Sequence, residues 1–308
     1  MRDESLRRAS EGKSQAALRR KANYLYNLSL QIKPHMNGSP SLDCWRIASL
    51  VLLSLFVLFL ALGARTVCAG NRELSVAAAA DLSSALTQIA ADYESRTGVA
   101  VKLSFGASGA LTQEIENGAP FDLFLSADMD YPQRLIAESK AERASLYRYA
   151  IGQLVLWTPS GQRLDLDRRG MNALLDSSVK KIAIANPQHA PYGRAAVAAL
   201  KHYGLYEKVS DRLVLGESVA QAAEFVESGN AQIGFLALAF ALAPAMQGKG
   251  RYWKIPVEAY PALDQGAVVI SGARHKQDAV AFLEYLKRAE AERVFQRYGF
   301  DTPDRDKH

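Results

Sequence analysis

Between residues 74 and 125, three short apolar runs alternate with two amphipathic stretches, and that order leaves few folds open. Residues 74–79 are almost wholly apolar. Across 81–97 the apolar side chains Leu82, Leu86, Ile89 and Tyr93 fall at helical spacing. Val99, Val101, Leu103 and Phe105 then alternate with smaller or polar residues, as in a half-buried strand. A second helix carries Leu111 and Ile115, and residues 121–125 form a third strand. A β-α-β-α-β order predicts a mainly parallel sheet with helices on both faces. Strands at 152–157, 181–185, 212–215 and 232–236, with helices at 192–203 and 218–227, predict a second α/β unit. One more strand at 268–271 and helices carrying Leu283, Leu286, Val294 and Phe295 complete the chain.

The length of 308 residues fits two domains of about 150 residues each. The net charge of +5 would suit a nucleic-acid or membrane-surface partner, but its distribution excludes that reading. Ten of the 37 basic residues and four of the 32 acidic ones fall within residues 1–69, leaving 27 against 28 in the rest. The body is near neutral and no nucleic acid is expected.

The basic leader runs over residues 1–46 and contains Met36, the expected start of translation. Residues 47–64 are apolar and uncharged, preceded by Arg46 and followed by Arg65-Thr66-Val67-Cys68-Ala69-Gly70. Small residues at Val67 and Ala69 fit a signal-peptidase site, so residues 47–69 are read as signal peptide, cleaved after Ala69. An uncleaved anchor is the alternative. Both cysteines, Cys44 and Cys68, lie in this leader, so the body holds neither a disulfide nor a thiolate metal site. Such a body suits an oxidising, extracytoplasmic compartment.

Four strand-to-helix junctions share one composition of small residues and hydroxyls. They are Ala78-Ala79-Ala80-Asp81-Leu82-Ser83, Phe105-Gly106-Ala107-Ser108-Gly109, Asn186 to Gly193, and Leu215-Gly216-Glu217-Ser218-Val219. Singly, each reads as an ordinary helix cap. Together they can present free helix-start amides, at the positive end of the helix dipole, to one anion. Ligands in open α/β sheets bind at the carboxyl ends of strands.

The body resembles the ModA family of molybdate-binding receptors. The resemblance rests on Val76 to Leu82, Ser104 to Leu111, Gly118-Ala119-Pro120-Phe121-Asp122-Leu123-Phe124-Leu125-Ser126-Ala127-Asp128, Asn186 to Gly193, and Arg297-Tyr298-Gly299-Phe300. It implies a two-lobed periplasmic binding protein of type II, with ligand in the cleft between the lobes. Lobe 1 is expected over 71–153 and 260–308 and lobe 2 over 154–259, with crossings near 152–159 and 257–265. The implied ligand is molybdate, or tungstate, held by neutral donors without a cofactor or a directly coordinated metal. The expected site is Asp81, Ser83, Ser108, Tyr192 and the Val219 amide. Tyr192 brings a phenol where many members have Ala, while Ala237 stands where others carry Tyr. The implied partner is an ABC importer permease, served by a monomeric periplasmic receptor.

Asp81 stands where many members carry Ser, a departure that matters because a carboxylate pointing at a dianion would repel it. Two readings stay open. Asp81 caps the following helix, leaving its own N–H and the Ser83 hydroxyl toward the ligand. Alternatively, the ligand is a protonated oxyanion such as phosphate, whose proton Asp81 accepts. Other chemistries find little support. The histidines His35, His189, His202, His275 and His308 form no metal-binding pair, and His189 is expected in a solvated loop. Ser177-Ser178-Val179-Lys180 matches S-x-x-K but precedes a strand and has no K-T-G partner. Arg194 and Lys201 read as solvated charges on a helix face. An enzyme using Asp81 as base lacks a nucleophile. A membrane-anchored sensor would require that 47–64 remain uncleaved.

Overall fold

The computed structural model describes residues 72–303. The basic leader, the apolar segment, the cleavage site after Ala69, Met36 and both cysteines lie outside the described residues. In chain order the strands are β1 Glu73–Ala79, β2 Ala100–Gly106, β3 Leu123–Ser126, β4 Tyr147–Gly152, β5 Leu154–Pro159, β6 Ile182–Ala185, β7 Leu213–Gly216, β8 Ile233–Ala237, β9 Gly250–Lys254 and β10 Leu263–Val269. The helices are α1 Ser83–Thr97, α2 Ser108–Glu116, α3 Asp130–Ala137, α4 Leu166–Arg169, α5 Pro191–His202, α6 Tyr206–Val209, α7 Val219–Glu227, α8 Leu238–Leu242, α9 Lys276–Leu286 and α10 Ala289–Arg297. Among the described residues no helix is long and apolar enough to cross a membrane.

Two five-stranded sheets result, ordered β2-β1-β3-β10-β4 and β7-β6-β8-β5-β9. β1 lies parallel between β2 and β3, and β6 lies parallel between β7 and β8. β10 runs antiparallel to both its neighbours, as does β5 in the other sheet. Four strands of each sheet therefore share one direction, as the helix-linked order demands. The apolar runs are continuous where a strand is covered on both faces. Leu74, Val76, Ala77 and Ala78 of β1 are fully buried, as are Leu123, Phe124 and Leu125 of β3.

Strand prediction misses at the sheet edges. The strand expected at 152–157 is β5, shifted to Leu154–Pro159, and β4, which ends one residue before Gln153, is not anticipated by the sequence. The strand expected at 268–271 begins earlier, at Leu263, and β9 was not anticipated because an exposed edge strand lacks an apolar run.

The chain passes from the first sheet to the second through Gln153 and returns between Lys254 and Leu263. The Leu154 N–H donates to the Tyr260 hydroxyl at 3.1 Å, tying the two passages together. Beyond α10, Ile151 and Asp301 exchange two backbone bonds of 2.8 and 2.9 Å. The Gln153 side chain donates to Asp301 Oδ2 at 2.6 Å.

Candidate anion-binding cleft

The four junctions meet. Ala79, Ala80 and Asp81 after β1, and Gly106, Ala107 and Ser108 after β2, line one wall of a cleft of about 200 Å³ including its mouth. Ala190, Pro191 and Tyr192 at the start of α5, and Val219 at the start of α7, line the other. Small side chains let a ligand reach the backbone. Val219 and Ser108 are the first residues of their helices, where amides have no intrahelical partner. Asp81 is the only acid in the lining, which includes no Lys, Arg or His.

Ser108 is 1 % exposed, and its hydroxyl oxygen accepts from the Ala127 N–H at 3.0 Å. That bond uses a lone pair and leaves the hydroxyl proton free to donate. Ala127 belongs to the Gly118–Asp128 motif, which the structure explains in two parts. Asp122 braces the sheet, accepting from the Ser75 and His275 amides at 2.9 and 3.0 Å. Ser126, Ala127 and Asp128 carry the motif to the cleft.

Asp81 lies in a one-turn 3-10 helix, Ala80–Leu82, and is 2 % exposed. The expectation that it caps a helix is corrected: no side-chain capping bond begins this turn or α1. Instead Oδ2 accepts from Gln265 Nε2 at 2.5 Å, and Oδ1 is buried without a partner. Burial pushes the carboxyl up to about 6, although the Gln265 and Tyr192 side chains and nearby amides pull it down.

The Tyr192 hydroxyl lies 3.5 Å from Gln265 Nε2 and within reach of the Asp81 carboxylate. Burial first, and the Asp81 charge second, raise the Tyr192 phenol well above its ordinary value, so it stays a neutral donor. Gln265 Oε1 accepts from the Tyr149 hydroxyl at 2.7 Å, which also lies 3.0 Å from the Ser126 carbonyl. The amide nitrogen is turned toward Asp81. A register shift at Gln265/Gly266 leaves Tyr149 unpaired opposite β10 and brings the two side chains together.

Ser83 is not brought to the cleft. It begins α1, half-buried, with its N–H bonded to the Ala80 carbonyl and its own carbonyl accepting from the Thr87 hydroxyl at 2.6 Å. The 3-10 turn uses up the residues that a helix starting at 81 would have placed differently, and Ser83 lies outside the lining.

Two further expectations are corrected across the cleft. Arg194 of α5 is half-buried, pairs with Asp128, and donates to the Tyr131 hydroxyl at 3.2 Å. Its guanidinium carbon lies 5.4 Å from the Tyr131 ring centre. The Gly109 amide of α2 donates to the His189 carbonyl at 2.8 Å. His189 is a bracket rather than a solvated loop residue, its Nε2 lying 3.0 Å from the Glu217 carbonyl. The S-x-x-K sequence forms a turn whose Ser178 hydroxyl donates to Asp176 at 2.7 Å.

Two α/β units meeting at a cleft lined by helix starts are the architecture of a solute-binding protein, and a family model described as bacterial extracellular solute-binding protein matches residues 74–301. The molybdate-binding protein ModA of Azotobacter vinelandii is 38% identical over 248 residues, covering 80% of this chain and 97% of the relative. ModA of Rhodobacter capsulatus is 36% identical over 230 residues, covering 75% and 88%. The solved periplasmic molybdate-binding protein of Azotobacter vinelandii superposes with a TM-score of 0.71 at 35% identity, covering 75% of this chain and all of that one (100%). The chain belongs to the bacterial extracellular solute-binding proteins and, among them, to the ModA family. The sulfate-binding protein SubI of Mycobacterium tuberculosis, at 17% identity and a TM-score of 0.61 (76% and 88% covered), shares the fold alone.

Proposed function

We propose that this protein is a periplasmic receptor that captures molybdate, and also tungstate, and delivers it to the permease of an ABC importer. The observation that carries this reading is the convergence of four helix-start junctions, two from each wall, on a cleft whose lining has no cation. A tetrahedral dianion suits neutral donors spread around it, since each amide or hydroxyl turns a dipole toward it without trapping it as a buried counter-charge would. Ser108, Tyr192 and the Val219 amide are the proposed donors, and Asp81 closes the remaining side. Hydrogen bonds to charged groups contribute roughly 1.5–3 kcal/mol each, so a few of them support binding near −8 kcal/mol, about micromolar or tighter.

We read lobe 1 as 71–153 with 260–308, lobe 2 as 154–259, and residues up to Ala69 as a leader removed on export. We read the protein as a monomeric binding protein without cofactor or catalytic role. The alternative of a phosphate receptor is not favoured by those relatives. Calorimetric titration with molybdate, tungstate, sulfate and phosphate at neutral pH tests the reading. Tight binding of the first two with no heat from the others is expected; phosphate binding in their place would sink it.

A further inference from the structure

The cleft meant for an anion contains a buried acid. Asp81 lines it, and one oxygen is engaged by Gln265 while Oδ1 has no partner. With the Tyr149 hydroxyl donating to Gln265 Oε1, the amide presents N–H to Asp81 Oδ2 and leaves Oδ1 as the unpartnered oxygen. In this arrangement Oδ1 is the oxygen that takes a proton.

We propose that ligand capture is coupled to proton uptake, so that Asp81 faces the bound dianion as a neutral carboxylic acid and donates from Oδ1 to one of its oxygens. The inference rests on the reading of this cleft as the molybdate site. The titratable groups facing Asp81 are the phenols of Tyr192 from α5 and Tyr149 from β4, both raised well above their ordinary range, so neither supplies charge. Asp128 is the next acid and acts with Asp81 on Tyr149. The other cleft-lining residues, from β1, β2, α2, α5 and α7, are uncharged, and α8, which also packs on the Asp81 turn, carries no titratable side chain. The cleft lining holds no Lys, Arg or His to offset a carboxylate. Two negative charges in one dry cleft repel, and the lower-energy arrangement protonates the weaker acid. Burial has already raised Asp81 to about 6, and a dianion raises it further. A donor is gained and a repulsion lost by the same proton, which solvent provides.

The test is calorimetry of the full chain with molybdate at pH 7.5 in two buffers of different ionisation enthalpy, followed by a series from pH 6.5 to 8.5. Uptake of close to one proton is expected, with Kd rising about tenfold per pH unit. Asp81→Asn, whose amide donates without a proton, should take up none and bind with a flat pH profile, tighter than the native protein at pH 8.5. If that variant fails to fold, the native proton count alone decides. Tight molybdate binding without proton uptake overturns this inference and leaves the receptor reading intact. Absence of binding to either molybdate or tungstate overturns both.

Discussion

Asp128 and Arg194 pair across the cleft, one from the strand-helix turn after β3 and the other from α5. Their side chains are 12% and 38% exposed, so water screens the pair partly. Arg194→Ala should remove about 1 kcal/mol from the closed form, after allowing for that screening, and weaken ligand binding roughly fivefold. The loss should appear mainly as faster release in stopped-flow measurements.

Gly109 tests closure without touching a ligand donor. A methyl group at this position would lie 2.8 Å from both the Cβ and the carbonyl oxygen of His189 and would also strike the Tyr131 hydroxyl. Gly109→Ala should hold the walls apart. Small-angle scattering should then show no compaction on adding molybdate, and affinity should fall more than tenfold.

Ser108→Ala removes the hydroxyl that both accepts from Ala127 and has a proton to spare. Molybdate affinity should fall well beyond tenfold; an unchanged Kd would remove Ser108 from the site. The orphaned Ala127 amide should also cost about 1–3 kcal/mol of stability, read by denaturant unfolding.

Asp81 also sets a pH dependence of the ligand-free fold. Its folded value of about 6 lies above the ordinary 3.8, so the folded state holds the proton more tightly than the unfolded chain. The associated stability is present below about pH 4 and is lost as pH rises through about 6, on the order of 3 kcal/mol in all. Asp81→Asn should therefore melt above the native protein at pH 7.5, and the gap should vanish near pH 4. An equal gap at both pH values would refute the assignment.

The sequence displays the parts of this site that are local. Four small-residue junctions announce themselves as helix starts, and each does begin or adjoin a helix at the cleft. What it conceals depends on distance. Gln265 lies 184 residues from Asp81 and 116 from Tyr149, and a strand irregularity, invisible in apolar spacing, brings them together. Arg194 shares a helix face with residues that look solvated, and only its seat opposite Asp128 shows otherwise. Ser83 was misplaced for a simpler reason. Helical periodicity does not distinguish a 3-10 turn from the first turn of an α-helix, and the three-residue turn at Ala80–Leu82 moves Ser83 out of the lining.

Gln153, alone between β4 and β5, has a mechanical meaning. A connection this short has no slack, so neighbouring sheets joined by it can pivot but cannot glide past one another. Its side chain is pinned to Asp301, and the return passage is pinned to Leu154, which narrows the pivot toward a single axis. The jaws of such a clamp retrace one arc, and the gap at the end of that arc is a fixed gauge. If the walls close along that arc on an ion, the stiffness of a remote joint becomes part of the measuring instrument.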